Sequence, residues 1–366
     1  MIFREISLIT IHVGFNFGSV LQTLATYRVL TKYARTVQVV NYRPQRVTIK
    51  YYFCHFKNLK EYIYKIILFP VYLINRFIYT RILKKYVNLT TPVYSIKQLR
   101  ALSLKSDLFV TGGDQVWNSI HNQGIDVAYY WGFLDDSAIM IALSSSFGRD
   151  ELFPDEYEYA KNRLKKYKMI SVREATGKKI VESMGLKATH LFDPTFFLSK
   201  EQWQVYMPSR RIKDNYLLVY IPYNIVSKKE IYKKARWISK TRNLKIIAFS
   251  WTHKKESYAD YTIRFASPLD FLGLMNEADY IITNSFHGTA FSIILNKQFC
   301  VYKPSHFVNR IESLLDSCKL RDRLIVSKIS EDDVLKSIDY EIVNKILDTE
   351  RKKAFNFLDE AIQKCI

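Results

Sequence analysis

The chain of 366 residues is long enough for two domains, and its hydrophobic content of 48% with a near-zero mean hydropathy is typical of a globular protein rather than a disordered one. Its four cysteines lie far apart and form no CxxC pair, which argues against a disulfide framework or a zinc site and favours a reducing compartment. The first residues lack the features of a signal peptide. We therefore expect a cytoplasmic protein.

The net charge of +20 is concentrated in the first third of the chain, where residues 6–106 hold sixteen Lys or Arg and one acid, Glu61. Within it, residues 43–86, here called the basic insertion, combine cations with Ile, Leu, Phe and Tyr. Their uncharged core, residues 66–75, contains Pro70 and is predicted to be too short for a membrane span, which needs about 20 apolar residues. The composition favours an anionic membrane surface. The alternatives are a core helix with a solvated basic face and nucleic-acid binding, for which no common motif is present.

Residues 1–199 alternate between strand and helix patterns, which predicts a first doubly wound domain carrying the basic insertion. Its first βαβ unit has a turn in which Asn16 lies between Gly14 and Gly18, and the backbone N–H groups of such a helix start can bind an anion or a hydroxyl. The predicted segments are a strand at 5–11, a helix at 20–32, a strand at 37–41, strands within 107–118 and 138–148, a helix at 155–167, and a strand, turn and helix within 169–185.

Residues 200–330 repeat the alternation and predict a second doubly wound domain, and residues 331–366 are predicted to form a helical tail. The predicted segments are strands at 216–223 and 245–251, helices at 227–241 and 269–277, a strand at 278–283, a helix at 289–296 and a strand at 299–304. The predicted fold class is α/β, with two Rossmann-like domains facing each other across a cleft.

Polar residues occupy five of the predicted turns that follow strands. Each has a structural alternative: a helix cap, a surface ion pair or a packed histidine. Because the carboxyl ends of parallel strands meet at one edge of a sheet, these turns could supply a carboxylate, a guanidinium and an imidazole to one pocket. This predicts an enzyme that acts on an anionic small molecule. The residues are Asn16, Asp114, Ser144 to Ser146, Arg173 with Glu174, and His287.

These segments resemble the successive blocks of the polysaccharide pyruvyl transferase family. The blocks, in order, are NFGSVLQTLATYRVL with NYRP, FVTGGDQVWN, SSSFG, SVREATG with DPTFFL, and ADYIITNSFHGTAFSIILNKQF. The resemblance implies a fold like that of the two-domain glycosyltransferases of the B type. It also implies transfer of pyruvyl from phosphoenolpyruvate to a sugar of a surface-polysaccharide precursor, with a cyclic ketal formed and phosphate released.

The resemblance also implies roles for single residues. Arg173 matches the arginine of the family's strand-to-turn block, His287 its late histidine, and Asp114 the acid after its glycine pair. One position departs from the family pattern, since characterised members often have arginine, leucine and histidine where this chain has Ser285, Phe286 and His287. The second donor-binding arginine is therefore absent there, and Arg264, Lys303 or the basic insertion are candidates to replace it.

The chemistry of pyruvyl transfer is suited to three of these side chains. A guanidinium can bind the oxyanions of phosphoenolpyruvate, and Arg173 is the candidate. An acid must protonate the enol carbon C3 and a base must accept a hydroxyl proton; His287 and Asp114 are the candidates, with interchangeable roles. The further predicted site residues are Ser285 and Gly288 for the donor, and Asn16, Gly18, Gly113 and Ser145 for the acceptor or an anion. No metal is expected, because the sequence has no metal-ligand cluster and the adjacent Asp135 and Asp136 do not form a DxD nucleotide–metal motif. Phosphoenolpyruvate is a co-substrate, and no other cofactor is expected.

The expected partners are phosphoenolpyruvate, a lipid-linked or polymeric sugar acceptor and an anionic membrane surface, without nucleic acid. This places the enzyme in the cytoplasm, peripheral to the inner face of the cell membrane. Two alternatives remain open. One is a glycosyltransferase of the B fold that uses a nucleotide sugar, which Ser285 supports, and the other is a catalytically silent scaffold of a polysaccharide assembly complex. The combination of Asp114, Arg173 and His287 argues against the scaffold.

Overall fold

A computed structural model describes residues 2–56, 58–209, 212–223, 228–250, 254–304, 308–325 and 336–365. The chain divides into two compact units, one formed by Met1–Phe197 with Lys352–Ile366 and the other by Leu198–Arg351. Each unit contains a sheet in which the six described strands all pair in parallel. The prediction of two α/β domains with parallel sheets is confirmed.

The sheet of the first unit has the strand order β2-β1-β3-β4-β5-β6. Its strands are β1 (Phe3–Ile9), β2 (Ala34–Val39), β3 (Leu108–Thr111), β4 (Met140–Ser145), β5 (Tyr167–Val172) and β6 (Thr189–His190). The helices are α1 (Phe17–Leu30), α2 (Ile49–Cys54), α3 (Leu59–Tyr86), α4 (Ile96–Ala101), α5 (Ser119–Asn122), α6 (Pro154–Leu164) and α7 (Ala175–Ser183). The chain changes direction across the sheet between β1 and β3, and such a switch point is where open α/β sheets bind ligands.

Helix α1 is buried along most of its length although it carries several polar residues. Asn16 caps its start, because the side-chain oxygen accepts a hydrogen bond from the N–H of Gly18 at 2.9 Å. The hydroxyl of Thr23 donates to the carbonyl of Ser19 and that of Thr26 donates to the carbonyl of Gln22, both at 2.7 Å. These buried hydroxyls therefore have partners within the helix, which removes much of the cost of burying them.

The sheet of the second unit has the strand order β12-β11-β10-β7-β8-β9, with its switch point between β7 and β10. Its strands are β7 (Tyr216–Tyr220), β8 (Lys245–Phe249), β9 (Tyr261–Ile263), β10 (Tyr280–Thr283), β11 (Gln298–Tyr302) and β12 (Leu324–Ile325). The helices in this part of the chain are α8 (Lys200–Gln204), α9 (Lys228–Arg242), α10 (Pro268–Glu277), α11 (Phe286–Ile294), α12 (Val308–Ser317) and α13 (Tyr340–Gln363). The last turns of α13 belong to the first unit.

The basic insertion departs from its prediction. Helix α3 continues through Pro70 for 28 residues, so it is long and apolar enough to cross a membrane by length and composition. The prediction that the segment is too short is therefore wrong, because it counted only the uncharged core and treated Arg76 as a boundary. Only 11% of the most apolar stretch is buried, and a single helix of this kind is weak evidence for a membrane span.

Helix α11 begins at Phe286, whereas the apolar pattern predicted a start at Thr289. Ser285 sets this earlier start as the N-cap residue, since its hydroxyl accepts a hydrogen bond from the N–H of Gly288 at 3.3 Å. His287 therefore lies in the first turn of the helix and not in a loop before it.

Candidate active site

The turns that follow β1 and β3 are joined by hydrogen bonds at the switch point of the first sheet. The hydroxyl of Ser19 donates to Oδ2 of Asp114 at 2.7 Å, and the hydroxyl of Thr10 donates to the carbonyl of Gly113 at 2.8 Å. Asp114 is 6% exposed, and its Oδ1 accepts a hydrogen bond from the N–H of Gln115 at 2.9 Å. The structure thus holds the carboxylate of Asp114 in one orientation.

Backbone geometry at this turn explains why it contains these residue types. Asp114 has a φ of 69°, in the left-handed region that Asp adopts more readily than most residues. A Cβ added at Gly113 would lie 2.8 Å from Cδ of Pro194, so the absence of a side chain lets the segment after β6 approach. That segment contains Asp193, whose carboxylate accepts hydrogen bonds from the N–H and the hydroxyl of Thr195.

Arg173 follows β5 and is surrounded by three carboxylates. Its Nη1 lies 2.6 Å from Oδ2 of Asp193, its Nη2 lies 3.7 Å from Oδ1 of Asp114, and its Nε lies 4.0 Å from Oε2 of Glu174. The side chain of Arg173 is 1% exposed. Burial by itself would lower the pKa of Arg173, but the carboxylates, with Asp193 the strongest, outweigh burial and raise the pKa above its ordinary value.

The charge of this cluster bears on the predicted role of Arg173. One guanidinium faces the carboxylates of Asp114, Glu174 and Asp193, so acidic side chains outnumber the basic one. An incoming anion would therefore have to replace a carboxylate contact before it could bind the guanidinium. The contact with Asp114 suggests a second role for Arg173, which is to position the Asp114 carboxylate. Donor binding by Arg173 stays a prediction.

The serines at the end of β4 and just beyond it connect the neighbouring turns. The hydroxyl of Ser145 donates to the carbonyls of Thr111 at 3.1 Å and Gly112 at 3.0 Å, and that of Ser146 donates to Oε1 of Glu174 at 2.8 Å. Ser145 is fully buried, and these bonds direct its hydroxyl toward the backbone at the end of β3. Its predicted role in binding an anion also stays a prediction.

His287 lies at the switch point of the second sheet, where the turns after β7 and β10 meet. The side-chain amide of Asn284 donates to the carbonyl of Tyr223 at 2.8 Å and so joins the two turns. His287 is 4% exposed, and its ring meets that of Phe286 edge to face at 5.2 Å. The guanidinium of Arg310 stands 5.6 Å from the centre of the Phe286 ring. A buried arginine therefore lies close to the block from which the family arginine is absent.

Gly288 is required by close packing. A Cβ added there would lie 2.2 Å from the hydroxyl oxygen of Thr283 and 3.0 Å from Cδ1 of Tyr220. Because Gly288 lacks a side chain, the first turn of α11 can lie directly against the strands, with its N-terminal N–H groups at the carboxyl edge of the sheet. Such a helix start favours a bound anion.

The predicted site residues thus form two groups. Asn16, Gly18, Gly113, Asp114, Ser145 and Arg173 belong to the first unit, and Ser285, His287 and Gly288 belong to the second. Of the cations proposed to replace the family arginine, Lys303 lies 3.7 Å from Glu312 and Arg264 is exposed. Ser19, Asp193 and Arg310 are further site residues that the sequence did not single out, although the quoted segments NFGSVLQTLATYRVL and DPTFFL contain the first two.

Two parallel-sheet units with polar turns at their switch points define an α/β protein of the GT-B-like class. A family model described as "Polysaccharide pyruvyl transferase" matches residues 16–306, and the chain belongs to this family of transferases. No curated protein matches the chain.

Solved structures agree with this fold class. The chain is similar to a putative UDP-N-acetylglucosamine 2-epimerase from Listeria monocytogenes, with a TM-score of 0.54 and 9% identity over 100% of this chain and 91% of that one. It is also similar to the UDP-N-acetylglucosamine 2-epimerase from Rickettsia bellii, with a TM-score of 0.53 and 11% identity over 99% and 97% of the two chains. At such identities the likeness shows the fold alone.

Proposed function

We propose that the protein transfers the pyruvyl group of phosphoenolpyruvate to a sugar of a surface-polysaccharide precursor, forming a cyclic ketal and releasing phosphate. The observation that carries the proposal is the fixed, buried carboxylate of Asp114 at a ligand-binding switch point in a chain of this family. A carboxylate whose orientation is set by the Ser19 hydroxyl and a backbone N–H is suited to remove a proton from a hydroxyl.

The reaction forms two C–O bonds at C2, breaks the C2–O bond to phosphate, and requires that both sugar hydroxyls lose a proton while C3 and the leaving phosphate each gain one. As a sugar hydroxyl adds to C2 of the donor, Asp114 accepts its proton while His287 protonates C3. A second hydroxyl of the sugar then adds to C2 and gives its proton to His287, which lost its own to C3. The bond between C2 and the phosphate oxygen breaks as the ring closes, and the leaving phosphate takes up the proton held by Asp114, so that both side chains return to their starting states. The acid and base roles of Asp114 and His287 could be exchanged. Imidazole is suited to either role because it can both donate and accept a proton.

Two groups are proposed for the anionic donor. Arg173 would bind it by replacing one of its long carboxylate contacts, at 3.7 Å to Asp114 or at 4.0 Å to Glu174. The start of α11 would bind it through backbone N–H groups, with Ser285 and Gly288 shaping the turn. Arg310 is the candidate for the positive charge that the family arginine supplies at this block.

A nucleotide-sugar glycosyltransferase is the second candidate function. Ser285 in place of the family arginine favours it, because a donor other than phosphoenolpyruvate would not need that cation. The two candidates share the fold and the acceptor class, so they differ in the donor and in the leaving group.

The experiment that separates them supplies the purified protein with phosphoenolpyruvate or with common nucleotide sugars, each with lipid-linked sugar acceptors. Acceptor-dependent release of phosphate is expected with phosphoenolpyruvate. Release of a nucleotide would instead support the glycosyltransferase, and release of neither product would favour the scaffold. The control is His287→Asn, which keeps the size of the side chain but removes its proton transfer. Turnover should fall by about 10² to 10⁴, with an unchanged melting temperature.

A further inference from the structure

A cavity of about 400 Å³ lies in the first unit between the turn after β1 and the basic insertion. Its volume is within the range of small-molecule sites, roughly 300 to 1,000 Å³. His12 and Phe15 line it from the turn after β1, Arg43 lies just beyond β2, and Lys65, Tyr72 and Arg76 come from α3. The basic insertion supplies much of this lining, whereas Asn16, Asp114, Arg173 and His287 do not line the cavity.

Helix α3 has two different faces. Residues that line the cavity recur along one face at helical spacing, namely Lys65, Tyr72, Arg76, Tyr79 and Leu83. The opposite face carries exposed aliphatic and aromatic side chains: Ile63, Ile67, Ile74 and Phe77, of which Ile67 and Phe77 are 66% and 65% exposed. The same helix therefore walls a cavity on its inner side and presents an apolar surface on its outer side.

The cavity holds positive charge that acidic side chains do not neutralise. Within the described part of the chain, no carboxylate lies within 4.0 Å of the guanidinium of Arg43 or of Arg76. Arg43 donates from Nε to Oδ1 of Asn41 at 3.0 Å, and Arg76 donates from Nη1 to the hydroxyl of Tyr72 at 3.2 Å. Burial, and then the charge of Arg76, lower the pKa of Arg43 from its usual value. The two guanidinium groups repel each other, and a bound anion would relieve that repulsion.

Two further cations in the lining are already paired. Arg46 lies 3.1 Å from Asp126 and Lys65 lies 3.2 Å from Glu61. The remaining charge excess is therefore that of Arg43 and Arg76, which suits a ligand group of about two negative charges.

The rest of the lining is mostly apolar, and its largest side chains are aromatic. The ring of Tyr72 lies 5.1 Å from that of Phe15 and 4.6 Å from that of Tyr52. His12 adds no charge at neutral pH, because burial lowers its pKa below the usual value. A ligand that fits this lining carries an anionic group for the two arginines and an apolar body for the aromatic rings.

We propose that this cavity binds the phosphate or diphosphate of an isoprenoid-linked sugar, which would be the acceptor of the reaction. A nucleoside diphosphate offers the same anionic chemistry, but the apolar outer face of α3 favours a ligand that comes from a membrane surface. The identity of the bound molecule as acceptor rests on the proposed pyruvyl transfer, whereas binding of an isoprenoid phosphate does not. The two ideas can therefore fail separately.

Calorimetric titration of the full chain with farnesyl diphosphate, UDP and phosphoenolpyruvate tests the proposal. Farnesyl diphosphate should bind at least tenfold more tightly than UDP, and inorganic pyrophosphate should displace it by competing for the same arginines. The variant Arg43→Gln/Arg76→Gln should lose at least tenfold in affinity for farnesyl diphosphate, as expected for charge-assisted hydrogen bonds. The control Lys97→Gln/Arg100→Gln removes the same charge from the exposed surface of α4 and should bind like the wild type.

The proposal is overturned if farnesyl diphosphate does not bind, if UDP binds as tightly, or if pyrophosphate does not displace it. Equal loss in the control variant would also overturn it, since the effect would then be one of net charge. The pyrophosphate competition uses the wild type and so remains decisive if the double variant does not fold. Phosphate release from phosphoenolpyruvate by the wild type is measured separately, and its absence would reject pyruvyl transfer while leaving the lipid-phosphate site in place.

Discussion

Arg173 is held more closely by Asp193, at 2.6 Å, than by Asp114, at 3.7 Å. The shorter contact anchors the guanidinium, and the longer one brings a positive charge near the proposed base. If a donor anion replaced Asp114 at this distance, Arg173 would contact both the donor and its anchor. If it did not, Arg173 would act only by positioning Asp114. The two roles predict different effects of the same substitution.

Replacing Arg173 with alanine should lower the affinity for phosphoenolpyruvate about tenfold or more if the guanidinium binds the donor, because a charge-assisted hydrogen bond contributes about 1.5–3 kcal/mol. Calorimetric titration measures this. The substitution also leaves buried carboxylates without their cation, which costs about 3–5 kcal/mol of stability, so Arg173→Lys is needed as a variant that keeps the charge. Lys179→Ala, at an exposed position of α7, is the control. Unchanged donor affinity with lost turnover would leave Arg173 as a positioning residue.

At the level of helices and strands, the sequence predicts those strands that form continuous apolar runs. The strands β3, β4, β7 and β10 are buried at every position, and each of them was predicted. The short strands β6, β9 and β12 were not, because two or three residues are too few for a periodic pattern. The start of α11 was placed too late because its apolar pattern begins only after the turn that Ser285 caps.

The candidate site was predictable to a similar extent. Asp114, Arg173 and His287 follow strands, which made them candidates, and the resemblance to the family implied their roles. Their partners come from distant parts of the chain, since Ser19 and Asp114 are 95 residues apart and Arg173 and Asp193 are 20 apart. Local patterns contain no information on such contacts. Asp193 lies in the quoted block DPTFFL, but the strand before it is too short to be predicted, so its position gave no signal.

The structure of helix α3 shows which of its cations could contact a membrane. By sequence alone, Arg76 was grouped with the cations that contact the membrane surface, but in the structure Arg76 lines the cavity. Arg81, Lys84 and Lys85 are exposed near the end of the helix, beside its apolar outer face. A surface of this kind can insert its apolar side chains into a bilayer while its cations contact anionic headgroups.

The protein should therefore sediment with anionic vesicles, lose this binding at high salt and bind neutral vesicles much less. The triple variant Arg81→Gln/Lys84→Gln/Lys85→Gln should weaken binding, since each cation near an anionic surface contributes about 1 kcal/mol. The control Lys97→Gln/Arg100→Gln/Lys105→Gln changes the net charge equally but lies outside α3. Equal sedimentation with anionic and neutral vesicles, or none with either, would reject electrostatic membrane binding.

On the scale of the whole molecule, the end of the chain completes the first unit. Residues Lys352–Ile366 belong to the same unit as the first 197 residues. Phe357, Leu358 and Ile362 are buried there, and the hydroxyl of Tyr33 donates to Oδ1 of Asp359 at 2.9 Å. The unit that holds Asp114 and Arg173 therefore depends on contacts with the last turns of α13, which follow the whole second unit in sequence.

A core substitution near the C-terminus should accordingly affect the N-terminal sheet. Leu358 is fully buried, and Leu358→Ala should cost about 2–5 kcal/mol through lost packing and the cavity left behind. Peptide-level hydrogen exchange can locate the effect. Faster exchange is expected in β1 and β3, with little change in β7 and β10, because local opening is enhanced in the unit that loses the contact. Gln363→Ala, at an exposed position of the same helix, is the control. If Leu358→Ala accelerated exchange only in the second unit, the tail would be stabilising that unit instead.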